Sequence, residues 1–155
     1  MSGSSLVTFV GVAHPWMCDV NGHLNVRHYM AMFDDASFQL LAHVAPANTT
    51  AGLGWADVRA EIDYVEEVRA GNALTIVSQV ERVGRSSLAI LHTMTITGED
   101  RTRARARIVI VRFDLDGRSS VELSSEERHR AEALLKQPSG SESANGPQGT
   151  LRHRL

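Results

Sequence analysis

The segment Asp19-Val20-Asn21-Gly22-His23-Leu24-Asn25 sets a carboxylate, an imidazole and an amide around a glycine turn. Attack on an acyl carbon needs such a set. An anion must attack or deprotonate water, polar groups must hold it, and N–H donors must face the developing oxyanion. A helix N-terminus supplies N–H donors without further machinery, and an apolar-periodic stretch begins directly after Asn25. Each residue also has a plainer account. Asp19 suits a turn carboxylate capping a backbone N–H, and His23 suits either bonding to nearby backbone or orienting Asp19 or an attacking water. Asn25 serves as helix N-cap, as site residue, or as both. The oxyanion donor is then a backbone N–H of the first helical turn, around Val26, a role any residue but Pro can fill.

The elements that must position these groups follow from periodicity. Residues 6–13 read as a strand ended by His14-Pro15. Val26, Tyr29, Met30, Phe33, Ser37, Leu40, Leu41 and Val44 recur at helical spacing, with Pro46 just beyond the end. Ala47–Gly54 is a loop by composition. Strict alternation over Val58–Tyr64 predicts a half-buried strand with Trp55 and Tyr64 on opposite faces. Leu74–Val83 and Leu88–Thr97 form a hairpin about Gly84-Arg85-Ser86-Ser87, and Thr102–Phe113 follows with Ala104, Ala106, Ile108 and Ile110 on one face. Ser124-Ser125-Glu126-Glu127 opens a short helix through Lys136 with capping-box character. Residues 1–136 thus read as one domain, and the polar, aperiodic 137–155 as a disordered tail. The order predicts the α+β class: an antiparallel sheet wrapped around one long central helix.

Other groups weigh less. Arg101, Arg103, Arg105 and Arg107 alternate on one strand face, either a solvated face or a guide for an anionic ligand tail. His92 shares a face with Leu88, Ile90 and Met94, the pattern of a satisfied core or interface histidine. Cys18 is the only cysteine among 155 residues, which excludes an internal disulfide and a multi-cysteine metal site, and no ligand spacing typical of zinc or iron is present. A formal charge of -2 and an absence of aromatic interleaving argue against nucleic acid. The first residues lack a basic region followed by an apolar run, and no apolar stretch approaches the roughly 18 residues of a membrane span, so a cytoplasmic protein without membrane contact is expected.

Asp19, then Gly22-His23-Leu24-Asn25, then Tyr29 and Asp34-Asp35, with the later string Tyr64-Val65-Glu66-Glu67-Val68-Arg69-Ala70-Gly71-Asn72, resemble the hot-dog fold thioesterases of the 4-hydroxybenzoyl-CoA thioesterase-like group. With Trp16 and His92-Thr93-Met94, the likeness is greatest to the betainyl-CoA thioesterase branch. The group usually carries Glu-Glu where this chain has Asp34-Asp35, a conservative departure. The resemblance implies a hot-dog fold and hydrolysis of an acyl-CoA to acid and coenzyme A, with no cofactor beyond the coenzyme A of the substrate. It implies Asp19 as nucleophile or general base, with His23 and Asn25 at the site. It also implies coenzyme A phosphates near Arg85, Ser86 and Ser87, and a substrate pocket with Trp16, Tyr29 and Tyr64. Self-association as a homodimer or dimer of dimers is implied, with the site between protomers. Two alternatives stand beside it. Hot-dog hydratases place His five residues after the Asp, with Asn-Pro between; here the spacing is four and Gly22 replaces the Pro. A non-enzymatic acyl-CoA sensor would have no need of Asp19.

Overall fold

The computed structural model describes residues 5–46 and 52–136. Its elements run β1 (Leu6–Val12), α1 (Val26–Val44), β2 (Leu53–Tyr64), β3 (Ala73–Val83), β4 (Ser87–Ile96), β5 (Thr102–Asp114), β6 (Ser119–Ser120) and α2 (Ser125–Glu132). The expected tail over 137–155 lies outside the described residues, as do residues 47–51 of the expected loop. Every strand pair is antiparallel, in the order β1-β3-β4-β5-β2, with β6 beside β5.

Chain chemistry sets both ends of α1. Asn25 Oδ1 accepts the Arg27 N–H at 3.2 Å, satisfying one of the donors that a helix start leaves without a partner. At the other end the Ala45 N–H bonds to Leu41 O at 2.8 Å, and Pro46 follows with no N–H to continue the ladder. Tyr29, Met32, Phe33, Ala36, Ser37, Leu40, Leu41 and Val44 form the buried face, which lies on β1, β3 and β4. Val26, expected on that face, is instead 58% exposed. Opposite α1, Leu74, Ile76, Ile90, Met94 and Ile108 are fully buried, as are the small Ala104 and Ala106 of β5. Each large apolar side chain so buried contributes roughly 1.5–3 kcal/mol, which makes this layer the main source of stability. His92 lies within it, fully buried between Ser78 and Ser37.

The second strand departs from expectation. Instead of a half-buried strand over Val58–Tyr64, β2 runs from Leu53 and forms an edge, with Val58 60% and Tyr64 50% exposed. Pairing slips between Asp57 and Arg59, so Val58 is an extra residue in the ladder. Trp55 therefore pairs with Arg112, and Tyr64 with Ala104. Both partners belong to the inner, even-numbered set of β5, so the two rings share a face that unbroken alternation would have denied them.

The last helix is shorter than expected, ending at Glu132 rather than Lys136. Ladder pairing of β1 with β3 reaches only Ser78, and the chain after α2 takes the vacant edge: the Val80 N–H donates to Leu134 O at 3.0 Å and the Lys136 N–H to Val80 O at 2.7 Å. The expected capping box is present, with Glu127 accepting the Ser124 N–H at 2.9 Å. The other Glu127 oxygen meets Arg112 Nη2 at 2.7 Å, with both side chains nearly out of solvent. Arg112 also stacks over Trp55 at 4.9 Å and donates to Gly54 O at 3.2 Å, so one guanidinium ties α2 to β5 and β2. No helix among the described residues is long and apolar enough to cross a membrane.

Candidate active site

The turn before α1 is a closed loop. The Asp19 N–H donates to His23 O at 2.8 Å, the Gly22 N–H donates to Asp19 O at 3.0 Å, and Cys18 bridges to Leu24. Gly22 sits at φ 75°, a left-handed conformation that disfavours side chains. Asp19 Oδ1 accepts the N–H groups of Asn21 at 2.8 Å and His23 at 3.3 Å. The turn-capping account of Asp19 thus holds for one oxygen, while Oδ2 has no hydrogen-bond partner among the described residues. The Asn25 N–H donates to Met17 O at 3.0 Å, and its side chain is taken up by the N-cap. The His28 N–H is spent on Asn25 O and the Arg27 N–H on Asn25 Oδ1. The Val26 N–H is left without an acceptor among the described residues.

A cleft of about 270 Å³ opens beside this helix start, lined by His23, Leu24, Val26, Tyr29, Tyr64, Val65, Glu66 and Glu67. Asp19 is not part of that lining; it borders the cleft through His23. The loop after β2 forms the far wall and is stitched to the turn. The Leu24 N–H donates to Val68 O at 2.8 Å, His23 bridges to Arg69, and Val68 is fully buried. Tyr29 bonds to the Val68 backbone, and burial holds its phenol above the ordinary 10.0. The Tyr29 and Tyr64 rings meet edge to face at 5.1 Å. Across α1, Asp34 lies toward Asp57 of β2, whose carboxyl is raised by partial burial and by the Asp34 charge.

Four expected participants lie elsewhere: Trp16, Arg85, Ser86 and Ser87. Trp16 is 68% exposed, stacked on His14 at 5.4 Å and edge-on to His28, away from the two tyrosines. Asp35, His14 and His28 line a separate cleft of about 250 Å³ between β1 and α1. The Gly84–Ser87 turn stands at the opposite end of β3 from the Glu67 loop; 11 residues separate them, roughly 35 Å of strand. There Arg85 is ion-paired with Glu122 but mostly exposed, and the Ser86 carbonyl accepts the Arg112 N–H at 2.8 Å. Within the chain this turn does not reach the cleft. The arginine row is largely spent on ion pairs: Arg103 meets Glu66 at 2.8 Å and Glu99 at 2.6 Å, Arg107 meets Glu81 at 3.1 Å, and Arg101 meets Glu66. Sequence reasoning missed Glu67, whose Oε2 lies 3.1 Å from His23 Nε2. Only the family-like string around it drew notice, because no local spacing connects two groups so far apart along the chain.

Three comparisons bear on this geometry. The chain is 26% identical to betainyl-CoA thioesterase of Pseudomonas aeruginosa over 134 residues, 84% of each chain. A Thermus thermophilus thioesterase solved with coenzyme A and Zn superposes with a TM-score of 0.71 at 25% identity, over 85% of this chain and 96% of that one. A Staphylococcus aureus protein solved in complex with CoA gives a TM-score of 0.76 at 11% identity, over 96% and 98%, a likeness of fold. Residues 13–137 match the profile of the thioesterase-like superfamily, so this hot-dog chain, with its carboxylate turn at the start of the central helix, belongs to that superfamily and is a thioester hydrolase.

Proposed function

We propose that this thioesterase hydrolyses a small or medium acyl-CoA to the free acid and coenzyme A, with Asp19 as nucleophile or general base and the Val26 N–H as oxyanion donor. The observation that carries the reading is an imidazole and an unengaged N–H lining an open cleft at one helix start, with an unengaged carboxylate oxygen in the turn that borders it. A thiolate leaves readily at neutral pH, so one carboxylate and one oxyanion donor suffice without metal or cofactor. The betainyl-CoA relative and the CoA-bound neighbours support a coenzyme A ester as substrate, and a single cysteine fits a cytoplasmic setting. A thiol-release screen across aromatic, fatty and betainyl acyl-CoA esters tests the reading. Release from at least one ester is expected. Tight binding with no thiol from any ester would instead indicate a sensor, and water addition to an enoyl-CoA without thiol release a hydratase.

The site is completed by a second copy of the chain. The free edge and half-bare inner face of β2 support this, as does the strand length separating the Arg85 turn from the cleft. Sedimentation is expected to show a homodimer or dimer of dimers, with activity falling on dilution to monomer; a fully active monomer would overturn the arrangement. Arg85, Ser86 and Ser87 of the second copy then face the coenzyme A phosphates, a task suited to an exposed guanidinium and two hydroxyls. Arg85→Ala should raise KM for full-length CoA esters by several-fold while sparing short pantetheine esters. Equal loss on both would remove Arg85 from the phosphate site.

A further inference from the structure

Glu67 reaches into the site by a contact that the reaction as described leaves unused. Its Oε2 lies 3.1 Å from His23 Nε2, with the histidine side chain 29% and the glutamate 62% exposed. The loop that carries it is held by backbone bonds to the catalytic turn and by the buried Val68, which keeps the Glu67 backbone beside His23. The His23 backbone is held as well, its main-chain N–H donating to Asp19 Oδ1 at 3.3 Å. A carboxylate at Nε2 selects the tautomer that carries its proton there, which leaves the Nδ1 lone pair to accept one. Nδ1 has no partner among the described residues.

We infer that Glu67 is a positioning residue that acts through His23, and that this pair takes the proton of the water consumed in hydrolysis. The inference rests on the acyl-CoA thioesterase reading. It concerns the route in which Asp19 attacks: the C–S bond breaks, the thiolate leaves, and water then cleaves the anhydride of the acylated Asp19, which can no longer serve as a base. The water oxygen bonds to the acyl carbon and its proton passes to Nδ1. The bond from the acyl carbon to the Asp19 oxygen breaks, the Asp19 carboxylate leaves, and the imidazolium returns its proton to the thiolate or to solvent. Glu67 balances the imidazolium formed, as the carboxylate of a catalytic triad does for its histidine.

Other charged groups face His23. Asp19 and Cys18 belong to its own turn, Tyr29 stands on α1 and Tyr64 on β2. In the loop, Arg69 lies 4.0 Å from the same Glu67 oxygen, and Glu66 is turned to Arg103 of β5. Of these, Glu67 alone bonds a ring nitrogen.

Glu67→Gln and Glu67→Asp, alone and with His23→Ala, test the inference in thiol-release kinetics on an ester that the parent enzyme is first shown to cleave. Glu67→Gln should lower kcat roughly 10- to 100-fold, less than loss of a whole general base, with KM little changed. Glu67→Asp should recover part of the rate, and Glu67→Gln should cost nothing further in the His23→Ala background. No recovery in Glu67→Asp, or losses that multiply in the double variant, would overturn the pairing while leaving the thioesterase reading intact. A parent enzyme that releases no thiol would fail that reading instead. Glu67 is largely exposed, so thermal unfolding of the variants should match the parent; a large drop would mean a structural role and would also overturn the inference.

Discussion

Asp19→Asn is expected to lower kcat roughly 100- to 10,000-fold while leaving KM close to that of the parent enzyme. The substitution isolates chemistry from structure because of how the side chain is used. Oδ1 already serves the turn, accepting the Asn21 and His23 N–H groups, and an asparagine carbonyl can accept both. What asparagine lacks is negative charge at the second oxygen, needed to attack an acyl carbon or to take a proton. Asp19→Ala, by contrast, removes the turn acceptor too. It should cost about 1 kcal/mol of stability besides the rate, since one or two modest hydrogen bonds are lost. Stopped-time thiol release and equilibrium binding of a non-hydrolysable CoA thioether separate the two effects. An Asp19→Asn enzyme within a few-fold of the parent kcat would show that the carboxylate is only a turn cap and would transfer the chemistry to another group.

Local chemistry made much of this framework legible. The spacing of Tyr29, Phe33, Leu40 and Val44 gave the long helix, Asn25 gave its start, and Gly84–Ser87 gave the β3–β4 turn; all three stand as expected. Glu127 declared its capping box, though not its second bond to Arg112, because an ion pair between distant strands and helices leaves no mark in either segment. β2 was misjudged for a related reason. Alternation reports which residues could be buried, whereas Val58 slips into a bulge and the strand falls at an edge, both decided by its neighbours. The end of α2 was misplaced because the vacant β3 edge at Val80 competes for the backbone of Leu134 and Lys136.

The candidate site divides along the same line. Residues 19–26 are contiguous, so their chemistry was readable and their geometry follows from one turn and one helix cap. Tyr64 and Glu67 reach the cleft only through antiparallel pairing of β2 with β5 and the bridge from His23 to Arg69, which no window of sequence contains. Trp16, expected in the substrate pocket, stands apart from this cleft: the short helical turn Pro15–Met17 carries the indole out beside His14.

The fully buried His92 predicts a loss of stability in mild acid that is independent of the catalytic groups. Its ring joins a polar chain through the core, with Thr8 Oγ1 2.6 Å from Ser78 Oγ, Ser78 Oγ 2.5 Å from Nδ1, and Nε2 2.9 Å from Ser37 Oγ. Ser37 donates to Phe33 O at 3.0 Å, so its oxygen must accept from Nε2–H, and Nδ1 must accept from Ser78. A second ring proton would force Ser78 to reverse its bond. Burial away from water disfavours the charged form further and lowers the imidazole from 6.5 to about 4. Between those values the unfolded chain binds more protons than the folded one, so stability falls as pH drops through the window and levels off below it. The full effect is about 3 kcal/mol, of which about 2 kcal/mol is lost by pH 5, before most carboxylates titrate. Urea unfolding at pH 7 and pH 5 should show the parent losing about that much more than His92→Gln, however much that variant is weakened at neutral pH. Equal losses in both proteins, or a His92 ring resonance titrating near its unfolded value, would mean that the core admits the charge.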